Sequence, residues 1–132
     1  MVLTLTNTLT KQREVFRPRK DKRVDLFVCG PTVYDYIHVG NARCFSFFDT
    51  LAKYLRYRDY RLTYVQNITN IDDKIINRAR EEKSTPVITA RTYTKEFFTD
   101  IRALHITAVD HYAPATKYVK EIIAQVQRLM QR

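Results

Sequence analysis

Val24-Asp25-Leu26-Phe27-Val28-Cys29-Gly30-Pro31-Thr32-Val33-Tyr34-Asp35-Tyr36-Ile37-His38-Val39-Gly40-Asn41 is the stretch whose reading decides the fold. Its first six residues form a short apolar run closed by Gly30-Pro31, which predicts a buried strand over 24–29. A loop follows through Tyr36. From Ala42 to Tyr57, Cys44, Phe48, Leu51, Ala52 and Leu55 recur at helical spacing. Arg61 to Asn67, with Leu62, Tyr64 and Val65, reads as a second strand. Two strands joined by a crossover helix make a βαβ unit, and hence an α/β fold with a parallel sheet.

Beyond this unit the pattern turns helical. Asp72 is placed to N-cap a helix carrying Ile75, Ile76 and Ala79 on one face. Thr85-Pro86 opens another, with Ala90, Tyr93, Phe97, Ile101 and Leu104 as its stripe. Val119, Ile122, Ile123, Val126, Leu129 and Met130 predict a last amphipathic helix running to the chain end. The chain reads as one unit: a basic segment 1–23, a βαβ core 24–83 and a helical segment 84–132. Two strands make a poor parallel sheet, because such sheets hide both faces. Either Leu3 to Phe16 add pairing or the rest of the sheet belongs to a longer parent chain. An exposed sheet edge would invite self-association.

The 132 residues are 45% hydrophobic and 12% aromatic, which argues against disorder. Lys and Arg outnumber Asp and Glu by 23 to 14, a net charge of +9 that suits a polyanion, either RNA or nucleotide phosphate. Ordinary solubility charge is the alternative. One tight basic run stands out: Arg17, Arg19, Lys20, Lys22 and Arg23. No apolar run approaches the ~20 residues a membrane span needs, and Met1 to Thr10 lack a signal-peptide layout. A cytoplasmic protein without a membrane partner is expected. Cys29 and Cys44 are too few for a disulfide framework and should be free thiols, metal ligands or core fillers.

The loop from Cys29 to Asn41 carries the chemistry. Ligands of open α/β folds bind at the carboxyl ends of strands, which puts this loop on the functional rim. The only two glycines, Gly30 and Gly40, both fall in it, as expected where backbone must come close to something. Gly40 is placed just before the helix, where unpaired N–H groups and the helix dipole favour an anion. His38 can donate to a phosphate. These residues suggest a nucleotide-phosphate cradle distinct from the P-loop, whose Gly and Lys spacing is absent.

His38-Val39-Gly40-Asn41 resembles the HIGH signature of class I aminoacyl-tRNA synthetases in its HxGN form. The longer string from Cys29 through Ala42-Arg43 is similar to cysteinyl-tRNA synthetases in particular. Tyr64-Val65-Gln66-Asn67-Ile68-Thr69-Asn70-Ile71-Asp72-Asp73-Lys74-Ile75-Ile76-Asn77-Arg78-Ala79 resembles that family's second characteristic block. Leu5 to Phe16 resembles its opening segment. Ala115-Thr116 with Glu121-Ile122-Ile123 resembles a later one.

The resemblance implies the first half of a Rossmann-like (HUP-type) nucleotide-binding fold. It also implies ATP-dependent activation of cysteine, followed by transfer to tRNA(Cys). On the matching positions, His38 and Asn41 would be catalytic and contact ATP, with Gly30, Thr32 and Gly40 lining the same nucleotide. Cys29, Gly30 and Thr69 would meet the substrate cysteine. Cys29 would be one of four zinc ligands, the others lying in the family's later sequence; zinc with thiolate ligands prefers sulfur, so serine is rejected without editing. The bland alternatives are a buried strand-end thiol for Cys29 and a helix cap for His38. Asp72 and Asp73 read as a cap and a polar brace rather than paired acids. His105 and His111 fit no motif and read as surface or packing residues.

Departures from the family pattern bear on activity. KMSKS, which supplies a lysine to the triphosphate, is missing, and Lys83-Ser84-Thr85 only echoes it as a helix-start turn. Cys44 stands where proline is common. A fragment inactive or weakly active alone is expected. Two other functions fit the residues: a non-catalytic truncated paralogue that binds RNA or a partner, and a ligase joining cysteine to an amino sugar in mycothiol synthesis.

Overall fold

A computed structural model describes residues 2–18 and 20–132; Met1 of the opening segment and Arg19 of the basic run lie outside the described residues. The opening segment forms a hairpin, β1 (Thr4–Asn7) against β2 (Gln12–Val15), antiparallel, with Thr4 opposite Val15. These strands pair with each other in a separate two-stranded sheet and do not extend the parallel one. The parallel sheet is built from β3 (Arg23–Val28), β4 (Arg61–Ile68) and β5 (His111–Pro114), in the spatial order β3-β4-β5. The long helix α1 (Val39–Tyr57) makes the crossover from β3 to β4. Two further helices, α2 (Asp73–Glu81) and α3 (Pro86–Ala103), lead from β4 to β5, and α4 (Val119–Met130) follows. Among the described residues no helix is long and apolar enough to cross a membrane.

Register decides which side of the sheet is buried. Val24 lies beside Leu62, Leu26 beside Tyr64 and Val28 beside Gln66, so these residues share one face with Ile68. That face meets Phe45 of α1, Ile75 of α2 and Tyr93, Phe97 and Ile101 of α3 in the core. The opposite face is left largely open. Phe27 there is 64% exposed, and β4 residues Val65 and Asn67 are half-buried. Period-two alternation, not the all-apolar run of a doubly covered strand, therefore describes β3.

Three expectations need correcting. Cys44 belongs to the exposed side of α1, whose buried residues are Phe45, Asp49, Ala52 and Leu55. Phe45, Phe47 and Phe48 put aromatic rings on several sides of the helix, so the apolar spacing alone had more than one phase. The segment 84–132, expected to be helical, also contains β5, which pairs Val65 with His111 and Ile68 with Pro114. At four residues and ending in proline, β5 offers no periodicity to read. The expected strand through Cys29 stops at Val28.

Three helices end alike without glycine. The residues after the caps, Asp59, Lys83 and His105, adopt left-handed φ of 60°, 52° and 53°. In each case the next amide reaches back into the last turn: Tyr60 to Leu55, Ser84 to Ala79 and Ile106 to Ile101. Those are the 6→1 bonds of the Schellman motif, a position glycine usually fills. Neither glycine of this chain has a positive φ. His105, which fitted no motif, is thus a helix terminator, and its carbonyl also accepts from Lys53 at 3.1 Å.

Asp49 ties β5 to the crossover helix. Though 5% exposed, it accepts the amides of Thr107 and Ala108 on Oδ1 at 2.8 and 2.7 Å, while Oδ2 lies 2.6 Å from Lys53. Burial raises its pKa, but the Lys53 hydrogen bond and the two amides outweigh this and hold the carboxyl below its usual value. Asp49 contributes full stability above the unfolded carboxylate value of about 3.9 and loses it as pH falls through the lower folded value. We expect Asp49→Ala, which orphans both amides, to cost about 3 kcal/mol in urea melts at neutral pH. Asp49→Asn, which keeps an acceptor oxygen, should cost less and flatten the acid side of the stability–pH curve.

Candidate nucleotide-binding site

Everything at the site begins with a backbone contact at the end of β3. Gly30 lies so close to β4 that an added Cβ would sit 1.7 Å from the Asn67 carbonyl oxygen. No side chain fits there, and this is why glycine is required. The Gly30 N–H donates to the Asn67 side-chain oxygen at 2.8 Å, and the same side chain donates to Thr69 Oγ1 at 3.1 Å. Past this point the strands re-engage. Thr32 bridges Thr69 in parallel fashion, with Thr69 N–H donating to Pro31 and Val33 N–H donating to Thr69 at 2.9 and 3.1 Å. Cys29, Gly30, Thr32 and Thr69 are thereby gathered at the carboxyl rim of the sheet, where the topology of an open α/β fold puts its ligand.

The second half of the site is the start of α1. His38 is the N-cap, its Nδ1 accepting from the Gly40 N–H at 3.0 Å. The Asn41 side chain returns the favour, accepting the His38 N–H at 3.3 Å, to complete a capping box. Gly40 lies inside the first turn, not before it, and its amide is taken by His38. The Asn41 and Ala42 amides both turn to the His38 carbonyl. The expectation of unpaired amides waiting at Gly40 is therefore corrected. What remains for an anion is the Val39 N–H and the imidazole itself. With Nδ1 accepting, a neutral ring carries its proton on Nε2, which is exposed with the rest of the residue. The helix-cap reading of His38 is borne out, and the cap uses Nδ1 alone. Gly40 also serves this arrangement, since a Cβ there would meet the His38 ring at 2.7 Å.

Cys29 is exposed, so the buried strand-end thiol does not describe it. Its sulfur lies 3.7 Å from the Gly30 carbonyl. Among the described residues no group of three or more His, Cys, Asp or Glu side chains is gathered as a metal site. One thiol does not fit a four-coordinate zinc. Asp72 caps α2 by accepting the Lys74 N–H at 2.9 Å, and Asp73 follows in the first turn. Thr85 caps α3 ahead of Pro86. Lys83-Ser84-Thr85 is accordingly a helix-to-helix turn.

Two features escaped the sequence reading. Asn67 is the polar hinge between Gly30 and Thr69; an amide side chain beside the last residue of a strand is the signal that marks it. The loop is also held from its other side, by Arg78 of α2, whose guanidinium lies 3.5 Å from Asp35.

This strand–loop–helix on a parallel sheet defines a Rossmann-like α/β fold. The same architecture occurs in Mycobacterium tuberculosis methionyl-tRNA synthetase in complex with methionyl-adenylate, with a TM-score of 0.62 at 21% identity over 70% of this chain and 18% of that one. Residues 15–132 match the family described as tRNA synthetases class I (C) catalytic domain, and the chain belongs to that family. It is 49% identical over 128 residues to a cysteine–tRNA ligase of Moorella thermoacetica, covering 97% of this chain and 27% of that protein. It is 48% identical over 126 residues to a cysteine–tRNA ligase of Thermoplasma acidophilum, covering 96% and 28%. The chain thus spans about a quarter of the length of these relatives.

Separating the two nitrogens of His38 is a matter of side-chain choice. His38→Ala removes the cap and should cost about 1 kcal/mol in thermal or urea melts, whereas His38→Asn supplies another good cap and should cost a few tenths. Equal losses from the two would show that the cap contributes little.

Proposed function

We propose that this chain supplies the ATP- and cysteine-binding first half of a cysteine–tRNA ligase. The reaction activates cysteine as cysteinyl-adenylate and then transfers it to tRNA(Cys), in the cytoplasm. The observation that carries this reading is His38. It is fixed by its own helix cap at the carboxyl rim of the sheet, in a chain whose relatives are cysteine–tRNA ligases.

In the first step a carboxylate oxygen of cysteine attacks the α-phosphorus of ATP and pyrophosphate leaves. Negative charge gathers on the phosphate oxygens in that transition state. The His38 Nε2–H is oriented to donate to one of them, an electrostatic role rather than a nucleophilic one. Because the Gly40 amide fixes Nδ1, the ring needs no reorganisation as the charge develops. Asn41 keeps its NH2 group for the nucleotide while its oxygen serves the capping box. Gly30, Thr32 and Gly40 line the nucleotide's path, and Thr69 and Cys29 border the amino acid.

Cysteine-dependent ATP–pyrophosphate exchange tests the reading. The chain alone should give weak exchange or none, since no lysine of a KMSKS segment is present. Any signal should fall about 100-fold in His38→Asn, which keeps the cap and lacks the Nε2 donor. Exchange at the rate of full-length relatives would overturn the claim that this half is insufficient.

A second reading, a non-catalytic RNA-binding module, draws on the basic run. Register sets Arg23 beside Arg61 at the amino end of the sheet, and Arg17 and Arg23 border one shallow hollow. This rim lies at the far end of the strands from His38. Binding to tRNA through it should weaken steeply with salt, with a slope in log–log form of about −0.9 per duplex phosphate contacted. A flat salt response in gel shift would remove this reading.

A further inference from the structure

Three consecutive loop residues, Tyr34, Asp35 and Tyr36, are each gripped by the helices that follow β4. The Lys74 ammonium lies 5.5 Å from the centre of the Tyr34 ring. Arg78 Nη2 lies 3.5 Å from Asp35 Oδ1. The Tyr36 ring stands edge-on to Tyr93, 5.4 Å between centroids and 88° between planes. Two of these grips converge on one guanidinium. Arg78 also donates to the Tyr93 hydroxyl at 3.0 Å and pairs with Glu82 at 2.8 Å through Nε. The Tyr93 hydroxyl in turn donates to Glu82. Arg78 thus reaches the loop twice, directly at Asp35 and through Tyr93 at Tyr36.

The chemistry explains why arginine occupies this position. Asp35, Glu82 and the Tyr93 oxygen approach from different directions and need several N–H groups in a fixed plane. A lysine ammonium offers the charge without that fork. The guanidinium also lies over the Tyr93 ring, 5.7 Å from its centre, which holds its plane. Nothing in the core requires the group, since Arg78 is a third exposed. The buried residues of α2 are Ile75 and Ala79. What Arg78 adds is a link from α2 and α3 to the segment that ends at His38.

We propose that Arg78 is a positioning residue for the nucleotide loop: through Asp35 and Tyr93 it fixes residues 33–38, and with them the direction of the His38 imidazole. The consequence for ATP rests on the nucleotide reading given above; the consequence for the loop does not. Arg78 needs to touch neither ATP nor cysteine. Its effect is entropic, sparing the nucleotide the work of ordering a mobile segment.

Amide hydrogen exchange by mass spectrometry, with and without ATP, tests this on the whole chain. In Arg78→Lys and in Asp35→Asn, exchange across residues 33–38 should rise about ten-fold while β4 and the buried face of α1 stay protected. ATP, measured by calorimetry, should bind about ten-fold more weakly to both variants. A role in charge balance alone predicts that lysine rescues, so wild-type exchange in Arg78→Lys would overturn the proposal. Loosening spread evenly over the chain would overturn it as well, because it would mark Arg78 as a support of the fold. Should the native chain bind no ATP while the loop loosens as stated, the nucleotide reading fails and the positioning role stands. Asp35 lies on the loop side and outside the core, so its variant keeps the test open if Arg78→Lys does not fold.

Discussion

The contact on which the rest depends is the approach of the Gly30 backbone to the Asn67 carbonyl, closer than any side chain would permit. It lets β3 end, bend and rejoin β4 within two residues through the Thr32–Thr69 bridge. The loop is thereby tied to the sheet at its start. At its finish, His38 ties the same loop to α1 through the capping box. A segment pinned at both ends, with Tyr34 to Tyr36 held by α2 and α3, can present an imidazole in one orientation. Preorganisation of this kind is what electrostatic stabilisation of a developing phosphate charge requires.

The use of glycine follows from the same constraint. Helix ends at Asp59, Lys83 and His105 accept left-handed conformations that glycine would adopt without strain. Each costs the chain on the order of 1 kcal/mol, offset by the 6→1 hydrogen bonds these turns make. At Gly30 no such compensation exists, because the obstacle is a backbone atom rather than a torsion preference. Gly40 is a milder case, in which the neighbour is the His38 ring that the site orients. At Gly30 sterics leave no alternative to glycine.

The sheet is finished on one face and open on the other. Three helices cover Val28, Tyr64 and Ile68, while Phe27 remains 64% exposed on the reverse side. The apolar side of α4 is likewise exposed, from 42% at Val119 to 82% at Met130. Both surfaces have the chemistry of interior, and parallel strands are ordinarily covered on both faces. The hairpin at the start of the chain closes on itself and leaves the β3 edge without a partner strand among the described residues.

Local chemistry was enough to read the strand–loop–helix–strand order, the caps at Asp72 and Thr85, and the loop that carries His38. Hydrophobic runs, capping residues and scarce glycines act over a few neighbours in the chain. Which side of α1 is buried and the existence of β5 were decided only by tertiary structure. Three phenylalanines left the phase of α1 open until the sheet chose Phe45. A four-residue strand acquires its identity from pairing with β4 and from the Asp49 carboxylate that receives the chain before it. The clamp on the loop joins Asp35, Arg78 and Tyr93, residues scattered along the chain, and the Arg78–Glu82 spacing alone reads as an ordinary surface pair. Contacts between distant segments leave little trace in either segment, because each residue type there has a local use that explains it equally well.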